Sequence, residues 1–251
     1  MKTLHVCLLL SAVLCISCNG TPSSSEEQGE VANYSMESDN LSCVISAEIP
    51  ETAVQKAVGE WMDEQLGGYY PGDAADMKAI VDFYGKAITD SLQRELSENQ
   101  PFAVDFEAIM EKSYETPKFV TYTLSTCLGL GGAHPSSREL GATFRKSDGR
   151  RLSWDIVRPS ARNDFNEILL KSLCSYFAVD NPEELAEQLV DINVYGLPLP
   201  ETPPYLLENG VVAIYQQYEI AAYACGMPVD TIPYSSMLPV MTEWSKELLS
   251  E

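Results

Sequence analysis

Apolar positions change their period several times along this chain of 251 residues. Leu41, Cys43, Ile45, Ala47 and Ile49 alternate with mostly polar neighbours, which predicts a strand. From Pro50 the spacing turns helical. Val54, Ala57, Val58, Trp61, Met62 and Leu66 share one face, and Gly67-Gly68 stops the pattern. Asp73 to Asn99 predicts a second helix striped by Met77, Ile80, Val81, Tyr84, Ile88, Leu92 and Leu96, and Pro101 marks its end. Period two then returns. Phe102, Val104, Phe106, Ala108 and Met110 face one way, and Asp105, Glu107 and Glu111 the other. After a turn at Thr116-Pro117, Val120, Tyr122 and Leu124 alternate with Thr121, Thr123 and Ser125 into Gly129-Leu130-Gly131-Gly132. Leu140, Ala142 and Phe144 predict another strand, Ser147-Asp148-Gly149 a hairpin turn, and Leu152, Trp154 and Ile156 its continuation.

Helical spacing resumes at Phe165, Ile168, Leu169, Leu173 and Tyr176. Asn181-Pro182-Glu183-Glu184 has the polar cap, first-turn proline and acids of a helix start. Tyr195 to Pro204 is proline-rich and reads as a loop. Asn209-Gly210 turns the chain into a continuous apolar run, Val211 to Tyr215, which predicts a buried strand. Ile232-Pro233-Tyr234 follows, and Leu238 to Leu249 predicts a closing helix. Helices group before and after strands instead of alternating with them. The fold class expected is α+β, an antiparallel sheet meander packed by helices, with two sub-parts in one compact unit.

The first residues change the picture of where the chain resides. Lys2 precedes an apolar run from Val6 to Ile16 that is too short to span a bilayer. It ends in Cys15-Ile16-Ser17-Cys18, an arrangement that resembles a bacterial lipoprotein signal with Cys18 as the lipidated residue; an ordinary secretory signal is the alternative. Asn19 to Asn40 holds Ser23-Ser24-Ser25 and acids but no Lys or Arg, and reads as a tether. The expected division is residues 1–17 as signal peptide, 18–40 as flexible acidic tether, 41–115 as an N-terminal α+β part and 116–251 as a C-terminal domain. Localisation in the cell envelope, with membrane contact through the lipid anchor, follows from that reading.

A formal charge of −21 leaves no basic stripe for phosphates, so nucleic acid is not an expected partner. Such a surface attracts cationic proteins or peptides, and serves equally as a solvated coat. Cys43, Cys127, Cys174 and Cys225 can make two disulfides in an oxidising compartment, or stay reduced in the core.

Once the leader is removed, His134 is the sole histidine, and any familiar histidine-dependent nucleophile must use it. Ser125, Thr126, Ser136 and Ser137 are near in sequence, but none lies in a GxSxG turn. Beyond Cys18 there is no CxxC, and no HExxH is present, so neither a metal nor a cofactor is expected. Glu219, within the aromatic segment Tyr215 to Tyr223, is the acid best placed for a raised pKa, as a catalytic acid or a buried structural group. That segment is either a core strand or the wall of a cleft.

Two motifs together carry a resemblance. Gly131-Gly132-Ala133-His134 leads into the Leu140 to Trp154 hairpin, and Tyr218-Glu219-Ile220-Ala221-Ala222-Tyr223-Ala224-Cys225-Gly226 leads to Ile232-Pro233-Tyr234. In these the chain resembles the RsiV-like family, an extracellular domain of RsiV-type anti-sigma factors that also occurs beside peptidoglycan deacetylase domains and as stand-alone bacterial lipoproteins. Pro135, Gln217, Ala222 and Cys225 depart from the residues common there. The resemblance implies a non-catalytic domain for a protein or peptidoglycan-related ligand, including a cationic protein such as lysozyme. The expected ligand-binding residues are His134, Gly131, Gly132, Tyr218, Glu219 and Tyr223, around a cleft between the two motifs. A cell-wall glycan or peptide hydrolase using His134 and Glu219, or a purely structural envelope lipoprotein, are the alternatives.

Overall fold

A computed structural model describes residues 29–99, 102–190 and 196–250. The leader, Cys18 and the first part of the tether lie outside these residues. A five-stranded sheet contains β1 (Val31–Glu37), β2 (Leu41–Glu48), β3 (Val104–Glu115), β4 (Phe119–Gly129) and β5 (Ser136–Arg145), in that spatial order. Period two seats Leu41, Cys43, Ile45 and Ala47 of β2 on one face, none of them more than 3 % exposed. Helices α1 (Gln55–Leu66) and α2 (Met77–Asn99) cover that face. Trp61 of α1 meets Phe144 of β5 edge-on, and Ile80, Val81 and Tyr84 of α2 complete the core.

Two expectations change here. The sheet is not a pure antiparallel meander, because β2 and β3 pair in parallel while every other neighbouring pair in it is antiparallel. The two helices between β2 and β3 bring the chain back to its starting end, as a parallel pair requires. Residues 31–37, expected to belong to the tether, instead form β1. Ala32, Tyr34 and Met36 alternate there and pack toward α2. The Tyr34 ring lies over Gly85 of α2, where a Cβ would collide with it, and its hydroxyl bonds with the Thr89 hydroxyl at 3.1 Å.

The second part holds a three-stranded antiparallel sheet of β6 (Tyr205–Leu207), β7 (Gly210–Ile214) and β8 (Val229–Pro233). Around it lie α3 (Arg162–Phe177), α4 (Pro182–Ala186), α5 (Tyr234–Met237) and α6 (Glu243–Leu249). The continuous apolar run becomes β7, buried along its whole length. Its neighbours Phe165, Leu169 and Leu173 of α3 join a separate core with Val211, Ala213 and Ile232. As the acids and proline indicate, α4 is capped, with Asn181 Oδ1 accepting from the Glu184 N–H at 2.9 Å.

Two short segments differ from their apolar spacing. Leu152 donates to Thr143 O at 2.9 Å, but the chain then leaves the sheet and Trp154–Ile156 form a 3₁₀ turn capped by Ser153. Of the closing helix expected over Leu238 to Leu249 only α6, Glu243–Leu249, forms; Pro239, which lacks an N–H, lies in the turn between the short α5 and α6. The four cysteines are free thiols.

A closed ring of hydrogen bonds joins the two parts. Thr143 donates to the Thr121 hydroxyl at 2.7 Å, Thr121 donates to Leu206 O at 2.7 Å, and the Leu206 N–H donates to Thr143 Oγ1 at 2.8 Å. Both threonines are fully buried. Beside them the Tyr205 ring lies flat over Gly141 of β5, leaving no room for a Cβ.

Candidate functional site

The histidine loop, residues 130–135, joins β4 to β5 at one end of the sheet. Gly131 has φ of 70°, and the Phe102 side chain occupies the place a Cβ would take, so this position needs glycine twice over. Nothing crowds Gly132, so of the pair the first glycine shapes the loop.

His134 is exposed at the tip, and its ring stacks on Tyr223 at 3.6 Å between centroids and 18° between planes. With the proton on Nδ1, that nitrogen donates to Pro135 O at 3.1 Å, and Nε2 accepts from the Tyr218 hydroxyl at 3.2 Å. Tyr223 also donates to Pro135 O, at 3.2 Å. The two motifs therefore meet, and His134, Tyr218 and Tyr223 form one aromatic platform. No cleft separates them, because the rings are in contact. A depression of about 440 Å³ adjoins the loop, lined by Asp105, Cys127, the loop glycines and His134.

Local chemistry explains why residues 216–223 reach this place. Tyr215, just after β7, is buried, its hydroxyl donating to Pro198 O at 2.7 Å. The chain then turns, and Glu219 closes the turn. One Glu219 oxygen accepts from the Gln216 N–H and the other from the Glu201 N–H, each at 2.7 Å. The Gln216 amide takes the part of a neighbouring strand on the edge of β5, accepting from the Glu139 N–H at 3.2 Å and donating to Glu139 O at 2.8 Å. Gln217 Oε1 accepts from the Ser137 N–H at 3.1 Å. Sequence periodicity carries no sign of this clamp, since a glutamine amide can pair with backbone or face water equally well.

Tyr218 sits at φ of 66°, in the left-handed region, with 63 % of its surface exposed. That conformation costs a residue with a Cβ about 1–2 kcal/mol, and here it serves to hold a large ring in water. Asn tolerates the conformation better. Tyr218→Asn is expected to leave the domain at least as stable as the wild type, with a gain of up to about 1 kcal/mol in denaturant unfolding, although a ring contact is lost.

Burial raises the pKa of Glu219, against the two backbone N–H groups that favour its ionised form. Both carboxylate oxygens are occupied by those amides, which makes it a structural group. Burial also raises Glu139. The folded state then holds these protons more tightly than the unfolded chain, so stability falls as pH rises above the ordinary glutamate range. Glu139→Gln should flatten that decline, as read from melting temperature against pH.

The polypeptide around this platform has a family match. Residues 155–235 match the family described as a protein of unknown function, DUF3298. The DUF3298 match spans α3, the three-stranded sheet and the Tyr218 to Tyr223 segment, and stops short of the His134 loop. Two solved structures of DUF3298 proteins share the fold. One, a family member from Bacteroides fragilis, is 16 % identical with a TM-score of 0.67, over 89 % of this chain and 99 % of that one. The other, from Pseudomonas aeruginosa, is 14 % identical with a TM-score of 0.59, over 85 % of this chain and 94 % of that one. A comparison with curated proteins finds no match.

Proposed function

We propose that this chain is a lipid-anchored envelope protein, attached through Cys18, whose non-catalytic domain binds a protein or peptidoglycan-related ligand on the His134, Tyr218 and Tyr223 platform. The observation that carries the reading is Tyr218, a large ring held in solvent by an unfavourable backbone conformation and tilted against the stacked His134–Tyr223 pair. Tyrosine offers wide contact area at low entropic cost, which favours it at recognition surfaces. The resemblance to the RsiV-like domain supports a lysozyme-like cationic partner, and a charge of −21 would speed its approach.

The geometry favours binding over hydrolysis. Both His134 nitrogens are engaged, and Glu219 is committed to two backbone amides. Neither is poised as a general base toward an open position. The test is titration of the leaderless chain with lysozyme and with muropeptides, at low and physiological salt. Saturable binding to one of them is expected, weakened at least tenfold by Tyr218→Ala. Absence of saturable binding to both would sink the reading.

A further inference from the structure

The two helices over the five-stranded sheet are unequal. α1 has 12 residues and α2 has 23, which at helical rise is about 18 Å against about 35 Å. Gly67 and Gly68, both at positive φ, end α1, so beside the second half of α2 the sheet face lacks a helical neighbour. The uncovered part includes Thr126 and Leu128 of β4 and Ser136 and Arg138 of β5, which share the face of Leu124 and Leu140 by period two. A groove of about 410 Å³ opens there, with Leu92, Phe106 and Leu128 as apolar lining and Leu66 and Leu130 at its sides.

Two opposite charges line this groove from facing walls, Glu95 on α2 and Arg138 on β5. They form no ion pair with each other, and among the described residues neither side chain has a hydrogen-bond or ion-pair partner. Elsewhere Arg145, Arg150 and Arg151 are each matched to a carboxylate. A neutral apolar occupant would leave both charges unanswered over its body. An anion alone would lie beside Glu95, and a cation alone beside Arg138. A zwitterion with an apolar body answers both. The volume falls at the small end of the range for small-molecule sites, the scale of a few residues of peptide.

We propose that this groove binds a short apolar peptide with free termini, its carboxylate on Arg138, its ammonium on Glu95 and its side chains on Leu92, Phe106 and Leu128. The site is separate from the aromatic platform and stands without it.

The test is calorimetric titration of the full chain with Leu-Leu, N-acetyl-Leu-Leu and Leu-Leu-amide. Leu-Leu should bind saturably, and each blocked form roughly fivefold more weakly, the scale of one exposed ion pair. Glu95→Gln should lose the distinction between Leu-Leu and its acetylated form. Arg138→Gln should lose the distinction between Leu-Leu and the amide. On the wild type, amide NMR signals of Thr126, Leu128 and Ser136 should move during the titration, a readout independent of either variant's folding. No saturable binding of Leu-Leu, equal binding of a peptide blocked at both ends, or shifts confined to other parts of the protein would each overturn the proposal.

Discussion

Gly59→Ala is expected to destabilise the domain by about 3 kcal/mol, although helix propensity alone predicts a gain of about 1 kcal/mol for the same change in a helix interior. Gly59 lies mid-way along α1, fully inside the fold. The space its Cβ would need is held by the carbonyl oxygen of Ala74, with Ile80 Cδ1 close by. A side-chain end could swing aside, but this is backbone, in a segment with little slack. The Asp76 N–H donates to Asp73 O at 2.9 Å, the Ala75 N–H to Asp73 Oδ1 at 3.0 Å, and the Ala79 N–H to Asp76 Oδ1 at 3.0 Å. Those bonds start α2, so moving Ala74 means moving the cap of the longest helix. Overpacking at a site that cannot yield costs at the upper end of roughly 1–3 kcal/mol. Equilibrium denaturation checks it, and a neutral or stabilised variant would show that the segment before α2 shifts freely.

Thr143→Val should cost about 2–3 kcal/mol, against about 1 kcal/mol for Thr143→Ser. Valine keeps the volume and removes the hydroxyl. The buried Leu206 N–H then loses its acceptor and the Thr121 hydroxyl its donor, and a buried group left unsatisfied costs about 1–3 kcal/mol. Serine keeps the ring of hydrogen bonds and gives up only a methyl group. The ordering matters more than either size. If serine proves as damaging as valine, packing rather than hydrogen bonding joins β6 to the large sheet.

Local pattern made the elements legible where one physical rule dominates. The helical stripe from Met77 to Leu92 and the apolar run of β7 each bury what their spacing says they bury. Partner choice was not legible, since period two marks Leu41–Glu48 as a strand without saying that β3 runs parallel beside it. β1 hid for a different reason. The alternation of Ala32, Tyr34 and Met36 sits in an acidic, serine-containing tract, and average composition outweighed three positions. At the site, motif pairing brought the His134 loop and the Tyr218 to Tyr223 segment together correctly, but as a cleft rather than a stack. The Gln216 and Gln217 clamp and the Glu95–Arg138 groove had no sequence signature. The first uses side chains as backbone, and the second arises from unequal helix lengths.

The clamp on β5 also bears on how copies of this protein can meet. A sheet with two open edges can grow by adding copies at both ends without limit. Here glutamine amides occupy one edge at Ser137 and Glu139, while β1 forms the opposite edge with no strand beyond it among the described residues. In a two-fold pairing of one β1 with another, each partner would turn its clamped edge outward. Such an association closes at two copies and cannot propagate into a fibre.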